Sequence, residues 1–411
     1  MVSSLSGQAL IGEVPRRFQS RISKSGIFSA RLGHVGTSPA FAATSFRRTT
    51  RPIPGLQASG NASLWHSRDN ADFLFFKIGL GMCCLLMGME TAWAASSAVV
   101  LMYHRFGENQ YPSTNIRISQ FEAHLRILTS GEFSVKSLTE ITAALRNGNP
   151  LPDKTVGISI DDAFLSVYQK AWPRLREAKL PFTLFIATDP IDKNLPGYMS
   201  WNQIRTLQKA GVEIGNQTAS HPHMPLLSTP RIEEELTRSS KRFKEELGFV
   251  PKTIAYPYGE YSLAVGKTVR AAGFTIGFGQ HSGVLHSDSD FFYLPRFAFN
   301  ETFGGVNRLK LASRALPLRA VDITPADPFL TPRSNPPAFG FTLTGKKIKK
   351  LNPINCYAPN GARLRIERLG ESRIEVRMDK KFSAGRSRIN CTVLDGGGRW
   401  RWFGRQFFVP K

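Results

Sequence analysis

Ser159-Ile160-Asp161-Asp162-Ala163-Phe164 closes an apolar run with two adjacent carboxylates. Side chains alternate along a strand and diverge at its end, so one carboxylate can hold a cation while its neighbour takes a proton from water. Asp-Asp also occurs at helix starts as an N-cap, and taken alone the pair leaves that use open. A second cluster, Asn216-Gln217-Thr218-Ala219-Ser220-His221-Pro222-His223, follows another apolar run. Gln217 and His221 are four residues apart and can converge on one ion, with Pro222 stiffening the loop. A third, Ala255-Tyr256-Pro257-Tyr258-Gly259, offers backbone N–H groups to an oxyanion and aromatic rings to a sugar face, although an ordinary aromatic turn has the same composition.

Three such clusters act together only if a scaffold gathers them. Ala98 to Met102 reads as a short buried strand. Ser119 with Glu122 reads as a capping box opening a helix, in which Phe121, Leu125 and Leu128 recur at helical spacing before Gly131. Ser137 with Glu140 repeats the device. Strands are expected at Val156–Ile160, Phe182–Ala187, Val212–Gly215 and Phe274–Phe278, and helices at Trp201–Ala210, Pro230–Leu247 and Leu263–Ala272. This alternation implies parallel strands with right-handed crossovers. No Gly-rich phosphate loop follows any strand, which argues against a nucleotide-binding sheet and for a barrel. In a barrel the chemistry sits at the C-terminal ends of strands, where the three clusters fall.

In chain order, Tyr103-His104, Asp161-Asp162, Thr218 to Pro222 and Tyr256-Pro257-Tyr258-Gly259 resemble the motifs of the polysaccharide deacetylase family, the carbohydrate esterases with a NodB-like domain. The resemblance runs from about Val99 to Phe299, and Leu294-Pro295-Arg296-Phe297 looks like the late motif of the branch containing biofilm N-acetylglucosamine polymer deacetylases. It implies an α/β fold, a distorted (β/α) barrel of the NodB type over residues 97–324. It also implies hydrolysis of an acetamide on an N-acetylated polysaccharide or chitooligosaccharide, with a divalent metal, commonly zinc. By the same match Asp161 is the general base, Asp162 and His221 are metal ligands, and Tyr256, Pro257, Tyr258 and Arg296 serve substrate or oxyanion binding. The chain departs from the pattern at Gln217, where the family has its first metal histidine; a neutral amide is the poorer ligand. Ala163 replaces a Gly and Ala255 an Arg, and the late Leu-x-His has no counterpart, so His104 is expected to protonate the leaving amine. His223 is an alternative ligand if its loop bends, while His281 and His286 read as surface-loop residues. The rival expectation is a catalytically degenerate glycan-binding protein of the cell envelope.

The 411 residues, 41% of them hydrophobic, suffice for one large domain and a smaller one. Lys and Arg number 54 against 31 Asp and Glu, a formal charge of +23. No helix-turn-helix, zinc-finger or RNA-binding aromatic signature accompanies that charge, so nucleic acid is not expected; a solvated basic surface near an anionic envelope is. Residues 1–72 read as a disordered basic leader or a start placed too far upstream, and 73–94 as a secretory signal ending in Ala92-Trp93-Ala94, with an uncleaved anchor as the alternative. The export this implies leads to a periplasmic, envelope or extracellular location. The Pro-rich stretch 325–337 reads as a linker. Beyond it, 338–411 reads as a small all-β, sandwich-like domain, because Leu364 and Ile366, then Ile374, Val376 and Met378, alternate with charges. A Cys356–Cys391 disulfide is expected within it, and Trp400 and Trp402 are expected to fill its core.

Overall fold

Residues 94–345 and 353–411 are described by a computed structural model, and all of them fall in one unit. The leader at 1–72 and nearly all of the 73–94 stretch lie outside the described residues. Six strands run side by side in parallel: β1 (Ser97–Tyr103), β2 (Thr155–Ile160), β3 (Thr183–Ile186), β4 (Glu213–Asn216), β5 (Thr253–Ala255) and β6 (Ile276–Phe278). Every residue of β2 and β3 is buried, as parallel strands covered on both faces require. Helices cover the outside: α1 (Ile118–Leu128), α2 (Leu138–Arg146), α3 (Trp201–Lys209), α4 (Thr229–Leu247), α5 (Leu263–Ala271) and α6 (Val306–Ser313). The sheet curls because a late segment joins its two ends. Leu294 pairs in parallel with Phe278 of β6, and β7 (Phe297–Ala298) pairs with Leu101–Met102 of β1. The result is the expected distorted (β/α) barrel.

Caps follow local chemistry. Ser137 and Glu140 exchange side-chain and backbone hydrogen bonds at the start of α2. At α1 the helix begins at Ile118, so Gln120, not Glu122, takes the third position and accepts the Arg117 N–H. Glu122 pairs with Arg174 instead.

The second half of the fold is all β: β8 (Ala320–Thr324), β9 (Phe339–Leu343), β10 (Asn355–Tyr357), β11 (Arg365–Leu369), β12 (Arg373–Arg377), β13 (Gly385–Leu394) and β14 (Trp400–Val409). One sheet runs β8-β9-β12-β11; the other places β14, β13 and β10 beside Leu316–Pro317. Phe339, Phe341, Ile374 and Val376 of the first sheet share an apolar cluster with Ile389, Val393 and Phe407 of the second. Cys356 and Cys391 face each other across β10 and β13 and form a disulfide.

The linker boundary needs correction. β8 precedes the Pro-rich segment 325–337 and β9 follows it, yet the two strands pair, so the segment is a loop inside the β domain. Proline marks a lack of backbone donors, which suits any loop and does not distinguish a domain joint. Trp400 and Trp402 also depart from expectation. Strand alternation sends Ile389, Cys391, Val393 and Phe407 into the β core and turns Arg388, Asn390, Thr392, Trp400 and Trp402 to a cavity shared with the barrel. Gly404 makes that docking possible, since a Cβ there would lie 2.1 Å from the Ser282 carbonyl oxygen.

Candidate active site

Asp161 continues the β2 ladder by donating its N–H to the Tyr103 carbonyl, and its side chain drops into the barrel. Its carboxylate accepts from Arg296 Nη1 at 2.7 Å and Nη2 at 2.9 Å, and both side chains are 0% exposed. Arg296 also donates to the Gly279 carbonyl and to Ser159 Oγ, so its fork is locked by β2 and the loop after β6. It therefore clamps Asp161 and does not meet substrate, which corrects the expected binding role. The barrel-closing segment is what brings it there. His104 stands on the cavity side of the pair, with Nε2 3.9 Å from Asp161 Oδ2.

Asp162 turns the other way because its backbone is left-handed, with φ 74°. Its Oδ1 lies 3.5 Å from His221 Nε2. His221 is also left-handed, and its N–H donates to Thr218 Oγ1. Burial lowers its imidazole pKa, while Asp162 and Asp161 oppose that shift. Of the nine described non-glycine residues with positive φ, five belong to this site: Asp162, Ala163, Thr218, His221 and Tyr258. Strain of that kind, of order 1–3 kcal/mol each, persists only where surrounding contacts hold it.

Only Tyr258 of the third cluster lines the cavity; Tyr256 and Pro257 are buried behind it, with the Tyr256 hydroxyl donating to the Phe292 carbonyl. The Tyr258 ring meets His221 edge-on at 4.5 Å and stacks on His223 at 4.4 Å. Its N–H has no acceptor among the described residues. Its carbonyl accepts from Gln406 Nε2 and Arg386 Nη1 of the β domain, which brace the turn. Gly259 follows at φ 68°, where a Cβ would lie 2.4 Å from the Gln280 nitrogen. The cavity measures about 810 Å³; His104, Asp162, His221 and Tyr258 line its floor, while Arg386, Arg388, Trp400, Trp402 and Tyr357 form a wall from the β domain.

Residues 148–277 match the family model of polysaccharide deacetylases. Over that stretch the barrel is similar to the polysaccharide deacetylase family. Among curated relatives, the poly-β-1,6-N-acetyl-D-glucosamine N-deacetylase of Staphylococcus aureus is 24% identical over 232 residues, covering 50% of this chain and 80% of the relative. Among solved structures, IcaB from Ammonifex degensii aligns with TM-score 0.48 and 25% identity over 54% of this chain and 98% of its own. The deacetylase PplD of Streptococcus pyogenes aligns with TM-score 0.49 and 19% identity over 53% and 98%.

The divalent metal that this polysaccharide deacetylase resemblance implies can be tested on the donor set. Two ligands about 2.0–2.2 Å from a tetrahedral zinc sit roughly 3.4 Å apart, so the Asp162–His221 separation of 3.5 Å suits a shared ion. The third position fails. Gln217 Oε1 accepts the Asp162 N–H at 3.2 Å, and its buried Nε2 has no partner. Reversing the amide would set two donors against each other. His223 does not substitute: its ring stacks on Tyr258 with Nδ1 on Glu260, and it is not among the residues that line the cavity with Asp162 and His221. Among the described residues no three His, Cys, Asp or Glu side chains gather as a metal site. The side chains present supply two of the three ligands a catalytic zinc takes, and do not fit that ion.

His281 and His286 are buried, not on a surface loop, and neither lines the cavity. Burial lowers their pKa values to about 3 and about 4. Sequence reasoning missed the whole β-domain wall. Its signal was the alternation of Arg386, Arg388, Asn390 and Thr392 with Ser387, Ile389 and Cys391, which marks a strand with two occupied faces.

Proposed function

We propose that this protein hydrolyses the acetamide of an N-acetylated polysaccharide, a poly-N-acetylglucosamine or chitin-like chain laid in the cavity. The observation that carries the reading is the buried Asp161 carboxylate, clamped by Arg296 and set beside a cavity-lining His104. As the C–O bond forms the water's proton passes to His104, because Asp161, fully buried and off the cavity lining, sits behind it and stabilises the imidazolium instead of meeting the water. The carbonyl π electrons move onto oxygen, where the unpaired Tyr258 N–H is the available donor. The C–N bond then breaks, and His104 delivers a proton to the departing amine, leaving acetate and a free amino sugar. No step here runs through a metal, because the ligand set is incomplete.

The incomplete set also favours a second reading, a glycan-binding protein without turnover. Acetate release from N-acetylglucosamine oligomers, measured alongside zinc content, tests both. Turnover abolished by Asp161→Asn supports the hydrolase; no release from any such oligomer leaves the binding protein. Export to the cell envelope is part of the proposal, and the Cys356–Cys391 disulfide together with the Ala92-Trp93-Ala94 ending supports it.

A further inference from the structure

The wall of the cavity carries cations without counter-ions. Arg388 lines it, yet its Nε donates only to the neutral Gln406 Oε1, at 2.7 Å, and no carboxylate pairs with it among the described residues. Burial and the neighbouring Arg386 lower its pKa to about 10, which leaves it charged at neutral pH. Arg308 enters from α6 on the barrel side. Its guanidinium lies 5.0 Å from the Phe303 ring centre, its Nε is buried without a partner, and it too lacks a carboxylate. Arg386 is only partly compensated, 3.9 Å from Glu260 Oε1. Both arginines are only half-buried, but a guanidinium partly withdrawn from water with no carboxylate beside it is stabilised by an arriving anion, and two of them line this one cavity. The same wall presents the Trp400 ring, which suits a sugar face, while Trp402 beside it meets Phe297 of the barrel edge-on at 5.2 Å.

We infer that the glycan bound here is acidic, with a carboxylate or phosphate ester on the sugar next to the N-acetylated unit, received by Arg388 and Arg308. This rests on reading the cavity as a glycan site, and it concerns binding, whichever way turnover falls. Guanidinium groups take either anion bidentately, so the chemistry is shared and the probes separate the sources.

The test is equilibrium binding by calorimetry on the whole protein, so that absent turnover does not obscure it. Three ligands are compared: a neutral chitopentaose, the same oligomer oxidised at C6 to carboxylates, and one phosphorylated at C6. The expected result is that one or both acidic oligomers bind at least roughly tenfold tighter than the neutral one, with the gap narrowing as salt rises. The doubly substituted Arg308→Gln, Arg388→Gln protein should lose that gap, while Arg388→Lys keeps part of it. The overall charge of +23 cannot mimic this, since two substitutions barely change it. Equal affinity of wild type for all three oligomers overturns the inference, and so does a gap that survives in a folded double variant. If the double variant fails to fold, the single Arg308→Gln and Arg388→Gln proteins make the same comparison, and a gap unchanged in both overturns the inference.

Discussion

The two sides of one cavity are built on opposite principles. The barrel floor is acidic and strained: Asp161 and Asp162 sit at the end of β2, and the left-handed residues Asp162, Thr218, His221 and Tyr258 hold side chains at angles no regular strand gives. The β-domain wall is basic, aromatic and unstrained, with Arg386, Arg388, Trp400 and Trp402 standing on two regular strands. Strain belongs where atoms must be aimed, and a flat strand face suffices where a polymer must be held. The floor is thus fitted for chemistry and the wall for recognition. Turnover and affinity should then respond to different substitutions.

Asp161→Asn should sharpen the contrast most. Acetate release should fall by about 10²–10⁴ with oligosaccharide affinity nearly unchanged, because the residue lies behind His104 and touches no sugar. Stability should drop by about 3–5 kcal/mol, since Arg296 is left buried without its partner, as a urea titration would show. Unchanged acetate release would break the assignment of the floor. Next comes Gln217→His, which completes a three-ligand set with Asp162 and His221. Zinc should then bind stoichiometrically, and acetate release should rise by about 10²-fold or more. A variant that takes up zinc without gaining turnover would favour the binding protein.

A third experiment uses pH. His124, His281 and His286 are all in the barrel, and burial lowers them to about 4, 3 and 4. Below the unfolded value of about 6.5 the unfolded chain binds protons that the native barrel refuses, so stability is complete above that pH and falls as pH drops toward 4. Each histidine contributes up to about 1.4 kcal/mol per pH unit in that window. Urea midpoints at pH 7 and pH 5 would show the loss, and equal midpoints would mean the histidines protonate in the folded barrel. Replacing Cys356 and Cys391 together with Ser should cost about 2–4 kcal/mol, confined to the β domain. Hydrogen exchange should then rise across β10, β13 and β14 before it rises in the barrel. The smallest effect expected is Trp400→Ala, a loss of about fivefold in oligosaccharide affinity from one stacking ring, without change in turnover of bound substrate. A larger fall in melting temperature than in affinity would return Trp400 to a packing role.

Much of the barrel was legible because its signals are local. Strand and helix positions agree to within about two residues at β2, β3, β4 and α3 to α5, where apolar runs, caps and Pro230 mark the ends. The polar clusters were legible for the same reason, since each lies at a strand end. What was misread depends on distance. The Pro-rich loop was taken for a domain joint because composition does not say that β8 and β9 pair across it. His281 and His286 looked like loop surface because nothing near them in the chain shows what packs on top.

By itself the sequence determined the order of the catalytic motifs, the parallel barrel they decorate, the alternating strands of the tail and the substitution at Gln217, all properties of neighbours within a few residues. Only the tertiary structure decided that Arg296, 135 positions from Asp161, clamps it instead of reaching substrate. It alone turned the outer face of β13 and β14 onto the barrel mouth, and it alone tied Gln217's oxygen to the Asp162 backbone. The physical reason is that periodicity tells which residues share a face, whereas what that face meets is set by burial and hydrogen bonds between segments the chain has brought together from afar.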